Sequence, residues 1–232
     1  MTRLPVLYLC CETRALNASK GQASLFRLIG RDRPVESVLF ITAEEDSRQP
    51  EIVCQNDKAE LAERLQSSMK SQGFDIPISV PLEPDLLLLA RSMTQLLSAE
   101  VIELRLSIGM TSQRYLEIGQ CIENFRDRGV LLICLDRMQA EESAASHPQP
   151  HDSYMRNLIK QWEDEQRWVR VLANSSLRDN HSSSDPGSPV SDPTLCVLNT
   201  AFSLGGMKAP ERLFGFSLNE NSQALAGYGW MQ

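Results

Sequence analysis

Two hydrophobic rhythms alternate along the chain: short continuous apolar runs, and longer stretches in which apolar residues recur at helical spacing. Pro5 to Cys10 and Ser37 to Ala43 (SVLFITA) are runs rich in aliphatic residues and bounded by polar ones, the pattern of strands buried on both faces. Gln22 to Ile29, between them, fits a short helix, so the segment reads as a β-α-β unit with two parallel strands. Leu61, Leu65 and Met69 then share one helical face within Asp57 to Gly73, where Gly73 is the stop signal. A second helix is expected over Asp85 to Leu97, an alternating strand over Val101 to Ser107 (VIELRLS), a helix over Ser112 to Asp127, and a buried strand over Val130 to Leu135 (VLLICL).

After Met138 the pattern changes. Ala140 to Ser153 is a polar, proline-containing loop, and Tyr154 to Asn174 reads as an amphipathic helix that docks through Trp162, Trp168 and Leu172. Residues 175–192, rich in Ser, Pro, Gly and Asp, lack the apolar surface to order themselves and are expected to form a mobile loop. A helix from about Thr194 to Leu204, a Gly205-Gly206 stop and two short strands, around Phe214 to Leu218 and Ala224 to Trp230, complete the chain. The alternation predicts an α/β fold with a mainly parallel central sheet flanked by helices, as a single domain over residues 1–232.

Composition narrows the function classes. With 42% hydrophobic and 23% charged residues the chain has the make-up of a globular domain. Its net charge of −7 gives no basic footprint for nucleic acid. No apolar run approaches the ~20 residues of a membrane helix, and no secretory signal precedes the strand-like Leu4 to Leu9, so a cytoplasmic protein without a membrane or nucleic-acid partner is expected. The six cysteines lie mostly singly in apolar segments and suit reduced thiols.

Six blocks occur in order: PVLYLCCETRAL, VESVLFITAEEDS, VIELRLSIGMTSQRYLEIG, NFRDRGVLLICLDRMQ, SDPTLCVLNTAFSLGG and ALAGYGW. Together they resemble the DOPA 4,5-dioxygenase branch of the class III extradiol ring-cleaving dioxygenases over nearly the whole chain, including a helix end in which Gly129 feeds a buried strand. The resemblance implies a metal-dependent fold in which histidines at strand ends hold iron(II) or zinc, leaving positions open for catechol and oxygen. This chain departs from it at each such position. Where the family has a Ser-His-Gly-Ser-Pro turn, it carries Cys10, Cys11, Glu12, Thr13 and Arg14, and where the second strand ends Ser-Ala-His-Trp-Glu it carries Thr42, Ala43, Glu44, Glu45 and Asp46. The Leu-Asp-His-Gly motif falls near Leu82, Glu83, Pro84 and Asp85, and the His-Asn-Leu stretch is replaced by Asp136, Arg137, Met138, Gln139 and Ala140. The Pro-Thr-x-Glu-His block, source of an acid-base histidine, matches Pro193, Thr194, Leu195, Cys196 and Val197. The chain's own histidines, His147, His151 and His181, lie in polar loops.

A kept fold with its iron chemistry lost is the expectation, with no cofactor and no metal site. Glu44, Cys11, Glu12 and Asp136 are the candidate catalytic residues, and Arg14, Glu45, Tyr228 and Trp230 the candidates for substrate binding. Carboxylates at strand ends suit metal-free proton transfer, whereas an acidic run after a strand is more commonly a solvated loop. Cys11 and Glu44, expected at the ends of adjacent parallel strands, present a thiolate and a carboxylate to one crevice but lack imidazole support for a metal. Two function classes follow: a metal-independent isomerase, cyclase or lyase acting on a small aromatic or polyketide-like metabolite, and a non-catalytic pseudoenzyme that binds a small ligand or a protein partner. A homodimer, or pairing with an active paralogue, is compatible with either.

Overall fold

The computed structural model describes residues 3–12, 34–44, 49–56, 59–94, 99–138, 190, 192–218 and 224–231. Eight strands, β1 (Val6–Glu12), β2 (Ser37–Glu44), β3 (Glu51–Cys54), β4 (Ile78–Ser79), β5 (Glu100–Ser107), β6 (Val130–Met138), β7 (Glu211–Leu218) and β8 (Ala224–Trp230), form one sheet in the order β4-β3-β5-β2-β6-β1-β8-β7. The four central strands β5, β2, β6 and β1 are parallel, β3 and β8 are antiparallel to them, and β4 and β7 form the edges. The mixed, mainly parallel sheet flanked by helices is the α/β class the sequence predicts.

Four α-helices lie among the described residues: α1 (Glu60–Ser71), α2 (Pro84–Thr94), α3 (Ser112–Ile122) and α4 (Pro193–Leu204), with a 3-10 turn (Glu123–Arg128) continuing α3. Alternation along the strands sends Val6, Tyr8, Leu39, Ile41, Leu104 and Leu132 to a core shared with α1, α3 and α4, and Leu7, Val38, Phe40, Val101 and Ile133 to a second core under α2. Gly73 (φ 82°) ends α1 as expected: its N–H bonds to Lys70 while the Phe74 N–H reaches back to Met69, the paired bonds of a left-handed C-terminal cap. Gly129 (φ 76°) closes the 3-10 turn in the same conformation and delivers the chain into β6. At Gly119 the two helices α3 and α4 approach so closely that a Cβ would stand 2.6 Å from that of Ser203.

Three expectations change. The stretches before and after the helix predicted over Asp57 to Gly73, without a predicted element, hold β3 and β4, too short for a periodic signal to develop. The helix expected over Ser112 to Asp127 is α at its start and 3-10 at its end. β1 and β2 are parallel but not adjacent, because β6 inserts between them and pairs with both. The helices expected at Gln22 to Ile29 and Tyr154 to Asn174, and almost all of the polar stretch from Ala140 to Asp192, lie outside the described residues. No helix among the described residues is long and apolar enough to cross a membrane.

The connectivity also singles out one place in the sheet. From β2 the chain moves on toward β3 and β4 at one edge; from β6 it moves on toward β7 and β8 at the other. The strand order therefore reverses between the carboxyl ends of β2 and β6, and a crevice outside such a reversal is where open α/β sheets take their ligands.

Candidate functional site

Charge gathers at that reversal. On the α2 side of the sheet, alternation brings Thr42 and Glu44 of β2, Glu103 and Arg105 of β5 and Arg137 of β6 onto one surface, joined by Glu51 at the start of β3 and Glu83 just before α2. Arg105 reaches four carboxylates: Nη1 lies 2.7 Å from Glu51 Oε1, Nη2 2.9 Å from Glu103 Oε2 and 4.0 Å from Glu83 Oε1, and Nε 3.3 Å from Glu44 Oε1. Arg137 grips Glu83 with both terminal nitrogens, at 2.9 and 3.2 Å, and stands 3.6 Å from Glu44 Oε1 and 3.7 Å from Glu103 Oε1. The Nε–H groups of both arginines are buried and lack a well-aligned hydrogen bond.

Glu103 forms the floor of this network. It is fully buried, accepts a 2.7 Å hydrogen bond from the Thr42 hydroxyl, and burial pushes its carboxyl above the ordinary range despite that bond and the two guanidinium groups. The folded chain thus holds this proton more tightly than the unfolded one, so the contribution of Glu103 to stability falls as pH rises from about 4.5 to the raised value and is constant above it. Glu103→Gln should remove that component. In urea unfolding across this window the variant gains on the parent chain as pH rises. A variant that instead loses ground with rising pH contradicts the assignment.

On the opposite face, β6 presents Asp136. Its carboxylate is buried and accepts hydrogen bonds from the Tyr8 hydroxyl at 2.7 Å and the Thr194 hydroxyl at 3.0 Å, with the Cys10 thiol at 3.7 Å. Thr194 is in place because Asp192 caps α4, its carboxylate accepting the Thr194 N–H, and Pro193 occupies the first turn. Asp136 thereby ties together β1, β6 and the start of α4.

Of the predicted site residues, Glu44 and Asp136 both reach the reversal, but on opposite faces of the sheet. Cys11 lies on β1, paired in register with Arg137 on one side and Leu225 on the other, and is separated from Glu44 by β6; the side chains of Cys11 and Glu12 are outside the described set. Arg14 and Glu45 also lie outside the described residues. Tyr228 is buried opposite Tyr8, their ring centroids 6.5 Å apart. Trp230 pairs with Val6 at the amino end of β1, packs edge-on against Phe202 at 5.6 Å and donates to the Lys208 carbonyl at 2.6 Å. That position takes Trp230 out of the crevice and into the core. Sequence reasoning passed over Glu83, Glu103, Arg105, Arg137, Tyr8 and Thr194. Charged residues at alternate positions of an otherwise apolar strand, as in VIELRLS, were the available signal.

Hollows of about 380 and 310 Å3 lie elsewhere, in a trough between α1 and α3 lined by residues such as Arg64, Ser68, Cys121 and Arg128. The trough runs beside the turn that opens β6, at the amino rather than the carboxyl end of that strand. It lies away from the strand-order reversal, and the charge network is the stronger candidate.

The site does not fit the iron that the dioxygenase resemblance implies. An ion bound to Glu44 would have to compete with two guanidinium groups already facing the same oxygen. Among the described residues no group of three or more His, Cys, Asp or Glu is arranged to hold a metal. In the block that resembles the acid-base histidine motif, Val197 is buried core and burial pushes the Cys196 thiol up to about 11, so it remains protonated.

No protein-family model matches the chain, and no curated protein matches it in sequence. Its fold is similar to a crystal structure described as that of uncharacterized protein JW3007 from Escherichia coli K12, with a TM-score of 0.56 at 14% identity over 98% of this chain and 99% of that one. That likeness establishes a shared α/β architecture across the whole of both chains.

Proposed function

We propose that this chain acts on a small molecule at the carboxyl ends of β2 and β6 by proton transfer without iron, as an isomerase, cyclase or lyase of a small aromatic or polyketide-like metabolite. The observation that carries the reading is the concentration of Glu44, Glu83, Arg105 and Arg137 at the strand-order reversal of a sheet whose two cores are built mainly of apolar residues. Glu44, 35% exposed, is the group for moving a proton to and from a carbon beside a carbonyl. Arg105 and Arg137 supply positive charge where an enolate oxygen develops.

A second reading, a pseudoenzyme that binds without turnover, is favoured by one specific feature: the candidate carboxylates are already engaged, Glu44 by two arginines and Asp136 by two hydroxyls.

Elemental analysis of purified protein, with iron(II) and zinc resupplied anaerobically to a parallel sample, tests the metal-free premise; near-stoichiometric metal held through Glu44 and Cys11 overturns it. Incubation with small phenols and β-diketones in deuterated water then reports proton transfer as carbon-bound deuterium. Glu44→Gln should lower that exchange by about 100-fold, with a loss also in Cys11→Ala if the thiol lines the site. Binding that survives both changes, with no exchange in the parent chain, establishes the pseudoenzyme.

A further inference from the structure

We infer that the crevice selects small organic cations, such as a protonated amine, over anions of the same size. The inference rests on the proposed reading of this crevice as the ligand site and adds the charge of the ligand to it. Among the described residues, four carboxylates, those of Glu44, Glu51, Glu83 and Glu103, face two guanidinium groups, Arg105 and Arg137. Depth sharpens the imbalance. The carboxylates of Glu44 and Glu83 stand at the rim, 35% and 40% exposed, whereas Arg137 and Arg105 are set back at 13% and 17%. A molecule entering from solvent therefore meets carboxylate oxygens first, and the positive charge behind them is already shared among those same carboxylates.

Low-dielectric walls amplify the sign of such a rim, raising the local concentration of cations and excluding anions. An arriving anion would have to displace Glu83 from its two-pronged grip on Arg137 and leave that carboxylate with only its 4.0 Å approach to Arg105, among three others. An arriving ammonium group needs no displacement: it adds hydrogen bonds to oxygens that are half-open to solvent.

Benzylamine and benzoate carry opposite charges on the same ring and are the probes. Equilibrium dialysis against the full chain at low salt should show benzylamine bound about tenfold more tightly, a preference that shrinks as sodium chloride screens the rim. The Glu44→Gln, Glu83→Gln double variant should abolish the preference, its folding checked by circular dichroism; the salt series on the parent chain gives the same answer without relying on a variant. Tighter binding of benzoate that the double variant still alters overturns the charge selectivity and leaves the crevice as the ligand site. Binding of both probes unchanged in the double variant, or of neither to the parent chain, overturns the inference together with the reading it rests on.

Discussion

Asp136→Ala is expected to cost about 4 kcal/mol of folding free energy, a large part of the stability of a typical domain. Two hydroxyls, those of Tyr8 and Thr194, donate to this buried carboxylate from different elements, and both would lose this charged acceptor in a space closed to bulk solvent. A hydrogen bond to a charged group contributes about 1.5 to 3 kcal/mol. Asp136→Asn keeps one acceptor oxygen and should lose less than half as much. Urea unfolding at constant m-value reads both changes. The result separates two roles for the residue. A carboxylate that holds β1, β6 and α4 together moves the unfolding midpoint in proportion to the bonds lost, whereas a group that touches substrate loses turnover in Asp136→Asn well beyond what the loss of folded protein explains. The hydrogen bonds of Asp136 to two elements motivate the first expectation, and the turnover of Asp136→Asn decides whether the catalytic role expected from the sequence holds as well.

The surroundings of this residue show what a one-dimensional pattern can and cannot carry. The central strands were readable because VLLICL and SVLFITA have no polar face, a direct imprint of burial on both sides of a parallel sheet. The end of α1 was readable because Gly73 must adopt a positive φ there. Strand order was not, since the insertion of β6 between β1 and β2 is decided by which faces the helices cover, and no local window holds that information. For the same reason the pairing of Glu44 with Cys11 was drawn across a neighbour relation that the fold does not have, while the actual neighbour, Arg137, sits next to Asp136 in the chain and on the opposite face from it. Glu83 was noted only as a place where a histidine is missing. Its role as the two-pronged partner of Arg137 depends on a contact between residues 54 positions apart.

The same network yields the other large effect. Arg137→Met should destabilise the chain by about 3 kcal/mol or more, because it removes a largely buried guanidinium from contact with Glu44, Glu83 and Glu103 and leaves carboxylates of like charge facing one another. Methionine fills much of the arginine stem's volume, so the loss measures charge rather than a cavity. The cost should depend on Glu103. In the Arg137→Met, Glu103→Gln double variant the fully buried member of the cluster no longer carries charge, and the arginine's absence leaves only the half-exposed Glu44 and Glu83 to be rehydrated, which water does readily. The double variant is therefore expected to lose markedly less than the sum of the single changes, with a coupling of about 1 kcal/mol or more in a double-mutant cycle followed by chemical unfolding. Strict additivity would mean that Arg137 and Glu103 do not act on each other across their 3.7 Å separation, and that the charge at the strand-order reversal is a set of independent surface pairs. Coupling would mean that the crevice is electrostatically one unit, so that a ligand reaching Glu44 or Glu83 at the rim alters the balance at Glu103 beneath them.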